Sequence, residues 1–199
     1  SFENEKTGIY FSSEIKDLVL SGAFHTGIFE MAAKAELICS FQSGKTHYLK
    51  ERKISFNTDL TVDKPANVLR FNNSRFKLDE LAFTAAGNLA MNNSGNTDIN
   101  IKGEKLEIIQ LLWLLPEAYR VKTEQYKGAG NISFNAVFKQ AGKEDPSINA
   151  EFSIREGKLH LQEIDEGLKD INLDGRLFVK GKTQELSFDQ FSLRLMNEQ

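Results

Sequence analysis

The stretch ISFNTDLTVD, residues 54–63, indicates the fold of this chain most clearly. Its apolar residues fall at alternate positions and are Ile54, Phe56, Leu60 and Val62. Polar residues such as Ser55 and Asn57 occupy the positions between them. Period-two alternation with one polar side is typical of a half-buried antiparallel strand. The stretch therefore predicts a sheet with one apolar and one polar face.

The same alternation recurs on both sides of this stretch. It is strong at residues 131–139, 148–155 and 171–179, and short polar turns such as Ser43–Lys45 and Gly142–Pro146 separate the segments. About ten strands of roughly five to ten residues, joined in this way, are typical of a meandering antiparallel sheet. The fold class is predicted to be mainly β.

Four local features carry specific predictions. Residues 31–35 fit either a strand or a helix, and Asn72–Ser74 are predicted to form a turn between two strands. Gly157 is predicted to start a new short strand. The apolar phase shifts between Phe188 and Phe191, which predicts a β-bulge.

One stretch, LEIIQLLWLL at residues 106–115, stops alternating and is apolar nearly all the way round. It predicts one short apolar helix at about 105–116, ended by Pro116. Ten helical residues span roughly 15 Å, about half of a bilayer's hydrocarbon core. The helix is therefore too short to cross a membrane and needs protein or another apolar partner to cover it.

Composition excludes several functions. A net charge of −3 without a long basic tract argues against nucleic acid as a partner. The single cysteine, Cys39, excludes an internal disulfide. His25, His47 and His160 lie far apart in the sequence and have no second ligand at a useful spacing. We therefore expect no catalytic residues, no metal site and no cofactor.

The apolar residues of the strands permit two interpretations. They either pack against a second sheet, as in a sandwich, or line a long, curved sheet whose apolar face stays open as a groove for acyl chains. The 15 Phe against 4 Tyr and 1 Trp fit both, since a phenyl ring needs a core or an apolar ligand. Alternation alone does not distinguish them.

The order of segments between Ile99 and Leu195 resembles the C-terminal region of AsmA-like proteins of Gram-negative bacteria. The segments are INIKG (99–103), LEIIQLLWLLPEAY (106–119), GAGNISFNAVFK (128–139), PSINAEFSIREGKL (146–159) and LKDINLDGRLFVKG (168–181). The resemblance implies a periplasmic β-sheet curled into an apolar groove, anchored in the inner membrane by a segment outside this chain. It also implies a role in outer-membrane biogenesis, similar to that of bridge-like lipid-transfer proteins.

With this resemblance, residues 1–199 are predicted to form one extended β-rich domain of a larger protein, with 1–98 and 99–199 as possible sub-units of the groove. The sheet is expected to be an open groove or a flattened barrel. Phospholipid acyl chains are the expected ligand, with possible envelope proteins as further partners. The predicted lipid-binding residues are Ile54, Phe56, Leu60, Ile99, Ile101, Leu112, Trp113, Ile132, Phe134, Phe138, Phe152, Ile154, Leu173 and Leu177. The alternative is a non-catalytic structural or protein-interaction domain that binds a partner by strand addition.

Overall fold

A computed structural model describes residues 2–4, 8–24, 26–92, 95–112, 126–161 and 166–196. These residues form one antiparallel sheet whose eleven strands lie side by side in sequence order, which confirms the predicted mainly-β, meandering architecture. The elements are β1 Phe2–Asn4, β2 Ile9–Gly22, β3 Ile28–Ser43, β4 Thr46–Asp63, β5 Val68–Leu78, β6 Leu81–Ala90, β7 Asn96–Glu107, α1 Ile108–Leu112, β8 Tyr126–Ala141, β9 Ser147–Leu161, β10 Glu166–Lys180 and β11 Thr183–Met196.

The sheet is open and has a single layer over the described ranges. β1 and β11 are at opposite ends of the strand order and do not pair with each other. Each strand packs on its neighbours in the sequence, and α1 packs on β7 and β8. The open form of the predicted sheet is therefore the one found, whereas neither a closed barrel nor a two-sheet sandwich is seen in this part of the chain.

The strands are longer than the predicted five to ten residues because several continue through β-bulges. The predicted turn at Asn72–Ser74 is wrong, since β5 runs through it with a register shift between Phe71 and Ser74. Asn72 Nδ2 donates a hydrogen bond to Thr61 Oγ1 at 3.0 Å and holds this bulge to β4. Gly157 likewise lies inside β9 rather than at the start of a strand. A bulge shifts the side-chain phase without ending the pairing.

Residues 31–35 are part of β3, so their helical alternative is wrong. Ala33 and Ala35 are only 4% and 1% exposed and pair with β2 on one side and β4 on the other. Backbone pairing on both sides overrides the helical preference of alanine.

The apolar helix is shorter at its start than predicted. Leu106 belongs to β7, pairs with Ile132 and is 5% exposed, and α1 begins at Ile108. Leu106 stays in the strand because its side chain continues the apolar face of the sheet. Residues 113–125, which include the rest of the predicted helix, lie outside the described residues. No described helix is long and apolar enough to cross a membrane.

Several bulges share one hydrogen-bonding device. A residue with positive φ donates its backbone N–H to a side-chain oxygen of the neighbouring strand: Glu51 to Ser40 Oγ at 3.0 Å, Lys105 to Ser133 Oγ at 3.0 Å, and Glu156 to Asn172 Oδ1 at 3.3 Å. The bulge removes a backbone acceptor from the ladder, and the side chain replaces it. These side chains therefore fix where each bulge lies.

The predicted bulge between Phe188 and Phe191 is confirmed. Phe188 pairs with Gly175 and Gln190 pairs with Asp174, which leaves Asp189 as the extra residue of β11.

The hydrogen bond that Ser133 accepts at the bulge of β7 yields a stability prediction. Ser133→Ala removes the acceptor of the Lys105 N–H, and we expect the free energy of unfolding to fall by about 0.5–1.5 kcal/mol. Ser187→Ala, at an exposed serine of β11, is the matched control and should change it by less than about 0.5 kcal/mol. Urea unfolding followed by circular dichroism measures both values. Equal losses of unfolding free energy in the two variants would show that the Ser133 hydroxyl does not stabilise the bulge.

Candidate functional site

Strand register places one apolar row straight across the sheet. Directly paired residues of neighbouring strands point to the same face, so a chain of such pairs defines a row. The row through Phe56, called the aromatic row, consists of Leu18, Ala35, Phe56, Phe76, Phe83, Gly103, Phe134, Phe152, Gly175 and Phe188. It contains no polar side chain.

Further rows on the same face flank the aromatic row. On one side lie Ile15, Leu37, Ile54, Leu78 and Leu81 of β2 to β6, with Leu106, Ile132, Ile154, Leu173 and Phe191 of β7 to β11. On the other side lie Leu20, Ala33, Thr58, Ser74, Ala85, Ile101, Ala136, Ala150, Leu177 and Leu186. A fourth row follows beyond these and includes Met31, Leu60, Phe71, Ile99, Phe138, Ile148 and Val179. Together these rows are called the apolar face.

Two hydroxyl groups, those of Thr58 and Ser74, interrupt one of the two rows that flank the aromatic row. Thr58 and Ser74 are both 5% exposed, lie opposite each other on β4 and β5, and share a hydrogen bond between their hydroxyl oxygens. Because each hydroxyl satisfies the other, the pair presents little unmet polarity to a neighbouring apolar group. The apolar character of the face therefore continues past them.

Glycines in the aromatic row make room for phenyl rings from the neighbouring strands. A Cβ on Gly103 would lie 2.7 Å from Cε1 of Phe134 and 2.6 Å from Cδ1 of Leu106. A Cβ on Gly175 would lie 2.6 Å from Cζ of Phe152. The phenyl rings thus cover the two positions where the row has no side chain of its own.

The rings also touch one another across strands. The ring centroids of Phe76 and Phe83 are 5.2 Å apart, and those of Phe83 and Phe134 are 5.9 Å apart. Phe83 and Phe134 lie two strands apart, where backbones are separated by roughly 9.6 Å. The two side chains must therefore lean toward each other over Gly103, which makes the centre of the face a continuous aromatic surface.

Exposure rises from the centre of the apolar face to its edges. Ala35, Leu60 and Leu81 are buried, whereas Leu18 at one edge is 46% exposed and Phe188 at the other is 57% exposed. Among the described elements, each strand contacts mainly its neighbours in the sheet and α1 contacts β7 and β8, so no second layer of strands covers this face. Soluble proteins rarely leave contiguous apolar patches larger than a few hundred Å² uncovered unless a partner binds there. The apolar face is therefore the candidate functional site.

The register brings together nearly all of the predicted lipid-binding residues. The residues that share the apolar face are Ile54, Phe56, Leu60, Ile99, Ile101, Ile132, Phe134, Phe138, Phe152, Ile154, Leu173 and Leu177. Trp113 and the side chain of Leu112 lie outside what the structure describes. Lipid contact at these positions remains a prediction.

Sequence reasoning missed several residues of the site. Phe76 and Phe83 lie opposite each other, because the chain reverses at Asp79–Glu80 between them. The misplaced turn at Asn72–Ser74 concealed this pairing. Gly103 and Gly175 are not among the predicted site residues, although their lack of a side chain is what admits the rings of Phe134 and Phe152.

The opposite face is polar and carries ion pairs between neighbouring strands. Arg176 on β10 donates two hydrogen bonds to the carboxylate of Asp189 on β11, and Arg155 on β9 pairs with Asp174 on β10 at 2.6 Å. Exposed pairs of this kind contribute little to stability. Their hydrophilic side chains leave this face compatible with water, so the two faces of the sheet are chemically distinct.

In the described part of the chain, no three His, Cys, Asp or Glu side chains lie close enough together to hold a metal ion. Burial raises the pKa of the Cys39 thiol, which keeps it protonated and weakly nucleophilic. The hydrogen bond from Arg176, followed by its charge, lowers the pKa of Asp189, and the same hydrogen bond raises the pKa of Arg176.

The fold and site define an open, single-layered antiparallel β-sheet with one apolar and one polar face. Comparison with protein-family models, curated proteins and solved structures finds no match for the chain. Function must therefore be argued from the face itself.

The packing at Gly103 generates a second stability prediction. Gly103→Ala places a methyl group against Phe134 and Leu106, and we expect a loss of about 1–3 kcal/mol in the free energy of unfolding. Gly128→Ala is the matched control, because its Cβ would meet only the Lys158 carbonyl oxygen at 3.7 Å. Chemical denaturation of both variants measures the difference.

A double variant tests the physical cause of this loss. In Gly103→Ala with Phe134→Leu, the smaller side chain leaves room for the new methyl group, so the two losses should be less than additive. Strict additivity would show that the ring of Phe134 does not lie over Gly103.

The ion pair between β10 and β11 predicts a pH effect. Because the pKa of Asp189 is lowered in the folded protein, its contribution to stability is present above the ordinary aspartate range and is lost as the pH falls through the lowered pKa. Carbon NMR titration should give a carboxyl pKa below the ordinary value. Arg176→Gln should return it to that value, and an unchanged pKa in this variant would contradict the assignment.

Proposed function

We propose that this chain binds lipid acyl chains on its apolar face and conducts them along it, as a periplasmic segment of an AsmA-like lipid-transfer protein. The observation that carries the proposal is the continuity of the aromatic row, which runs from β2 to β11 without a polar side chain. A plain core would be covered by a second layer, and none packs on this face among the described elements.

The dimensions of the face suit acyl chains. Ten strands spaced about 4.8 Å apart extend roughly 43 Å across the sheet, and the hydrocarbon of one bilayer leaflet is about 15 Å thick. Successive rows lie roughly 6.6 Å apart along the strands. An acyl chain therefore fits between rows with side chains on either side of it.

Apolar contact provides affinity without fixing position. Burying a methylene group gains about 0.8 kcal/mol, and this gain does not depend on direction. Because neighbouring positions along a row are chemically alike, an acyl chain that moves by one strand exchanges one set of apolar contacts for another. The aromatic row favours sliding for this reason, whereas a pocket with specific hydrogen bonds would retain its ligand.

The polar face supports the other half of the proposal. Its charged side chains, among them Lys34, Lys102 and Arg176, keep that side of the sheet in water while the apolar face holds lipid. Headgroups would remain in solvent at the margin of the face. Two parts of the proposal, anchoring in the inner membrane and a role in outer-membrane biogenesis, rest on the resemblance of residues 99–195 to AsmA-like proteins.

Bound lipid is the direct test of this proposal. The chain is expressed in a Gram-negative periplasm and purified without detergent, and co-purified lipid is identified by native mass spectrometry and by extraction. We expect phospholipid at a stoichiometry of at least one per chain. Lipid-free protein would contradict the proposal and would favour the alternative of a structural or protein-interaction domain, which is supported by the outer edge of β11, with which no described residue pairs.

A face-specific pair of variants locates the lipid. Leu18→Asp with Leu20→Asp places charge on the apolar face of β2, and Val19→Asp with Ser21→Asp places the same charge on its polar face. Leu18, Val19 and Leu20 are similarly exposed, at 46%, 54% and 50%. We expect the first variant to reduce bound lipid about threefold or more, since each lost apolar contact weakens binding by a fraction of a kcal/mol. The second variant should bind lipid like the parent chain, and equal losses would exclude the apolar face as the site.

A further inference from the structure

The two margins of the sheet end in strands whose outer backbone pairs, over most of its length, with no described residue. No described residue pairs with the outer side of β11, residues 183–196. β1 covers only Ile9–Phe11 of β2, so Ser12–Gly22 is likewise unpaired on its outer side over the described ranges. Unpaired N–H and C=O groups on a long flat edge are a template for another strand.

The two edges have matching side-chain rows. The aromatic row ends at Leu18 on β2 and at Phe188 on β11. The rows that flank it end at Ile15 and Phe191 on one side and at Leu20 and Leu186 on the other. All of these side chains are about half exposed or more.

Strand direction and register are also compatible. Consecutive strands are antiparallel throughout, so β2 and β11 run in opposite directions. If Phe188 of one copy lies opposite Leu18 of another, an uninterrupted antiparallel register also places Leu186 opposite Leu20 and Phe191 opposite Ile15. The unpaired stretch Ser12–Gly22 then lies opposite residues 184–194.

The bulges of the two strands compensate each other in this register. β2 has a register shift between Ile15 and Asp17, and β11 has its extra residue at Asp189. Both irregularities fall between the same two rows, so each strand has the same number of residues there. The pattern of backbone hydrogen bonds is compatible as well. Along a row, hydrogen-bonded and non-hydrogen-bonded pairs alternate from one strand to the next. Because the aromatic row crosses ten strands, the outer sides of Leu18 and Phe188 are of the same pair type and can pair with each other.

We propose that copies of this chain associate head to tail, with β11 of one copy adding to β2 of the next. Such an interface joins different surfaces of the two copies and does not close on itself, so it extends the sheet and its apolar face from copy to copy. This inference goes beyond lipid binding and does not depend on it.

Because β1 pairs with Ile9–Phe11, the added strand is restricted to residues 184–194, and one electrostatic feature of the junction also opposes association. The register places Asp17 of one copy opposite Asp189 of the other, with Lys16 adjacent. Repulsion between like charges at an exposed site is screened by salt. Association should therefore be stronger at high ionic strength, where apolar contacts persist and the repulsion is reduced.

Single-cysteine variants test both the contact and its polarity. Val19→Cys and Ser187→Cys lie opposite each other in the proposed register, on the polar face, and away from the lipid-binding rows. The only native cysteine, Cys39, is 2% exposed and serves in the parent chain as a control for background oxidation. The two variants, distinguished by mass, are mixed, oxidised mildly and analysed by mass spectrometry.

We expect mixed disulfides at least tenfold in excess over either homodimer, with Ser21→Cys as an out-of-register control that crosslinks several-fold less to Ser187→Cys. Sedimentation of the parent chain should show mass rising above 22.5 kDa with concentration and with salt. A predominant Ser187→Cys homodimer would replace the proposal with symmetric pairing of two β11 strands. A monomer at all concentrations without any disulfide would overturn the proposal.

Discussion

Register between neighbouring strands is the constraint on which this structure depends. A slip of one residue in any strand would turn its apolar side chains to the polar face and break every row at that point. No described second layer selects the face to which each side chain points. The register is instead fixed by the bulges and by the side chains that accept their backbone N–H groups. Ser40, Ser133 and Asn172 each accept a hydrogen bond from a backbone N–H of the neighbouring strand, and this N–H lies within reach only in the correct register. Local polar contacts on individual strands thus maintain an apolar surface that spans the sheet.

The sequence predicted the class of fold and twelve residues that the register places on the apolar face, because period-two alternation is a property of each strand alone. It failed where two strands jointly determine the outcome. The asparagines at 72 and 73 favour a turn in isolation, yet they lie in a bulge of β5 whose flanking residues, Phe71 and Ser74, pair with β4 and β6. The opposition of Phe76 and Phe83, and the ring of Phe134 above Gly103, follow from register, which alternation does not contain.

A single layer changes how stability is distributed. In a sandwich, each strand gains from a facing sheet, whereas here most apolar side chains of β2 and β11 remain about half exposed or more. The centre of the sheet, where Ala35 and Leu81 are buried, must therefore be its most stable part. A ligand or a further strand at the margins would bury apolar side chains that the chain itself leaves exposed. Binding at β2 or β11 would therefore also stabilise these strands.

Sequence-ordered pairing has a consequence for how such a chain folds and grows. Each strand finds its partner within one connection, so contact order is low and hairpins can be added one after another without a distant closure step. Each repeat of this kind interacts mainly with its neighbours, as in solenoid proteins. Insertion of one more hairpin would lengthen the sheet by roughly 9.6 Å and leave the other pairs intact. The width of the sheet is therefore set by its number of hairpins, and duplication of a gene segment that encodes a hairpin would change this width by a fixed increment.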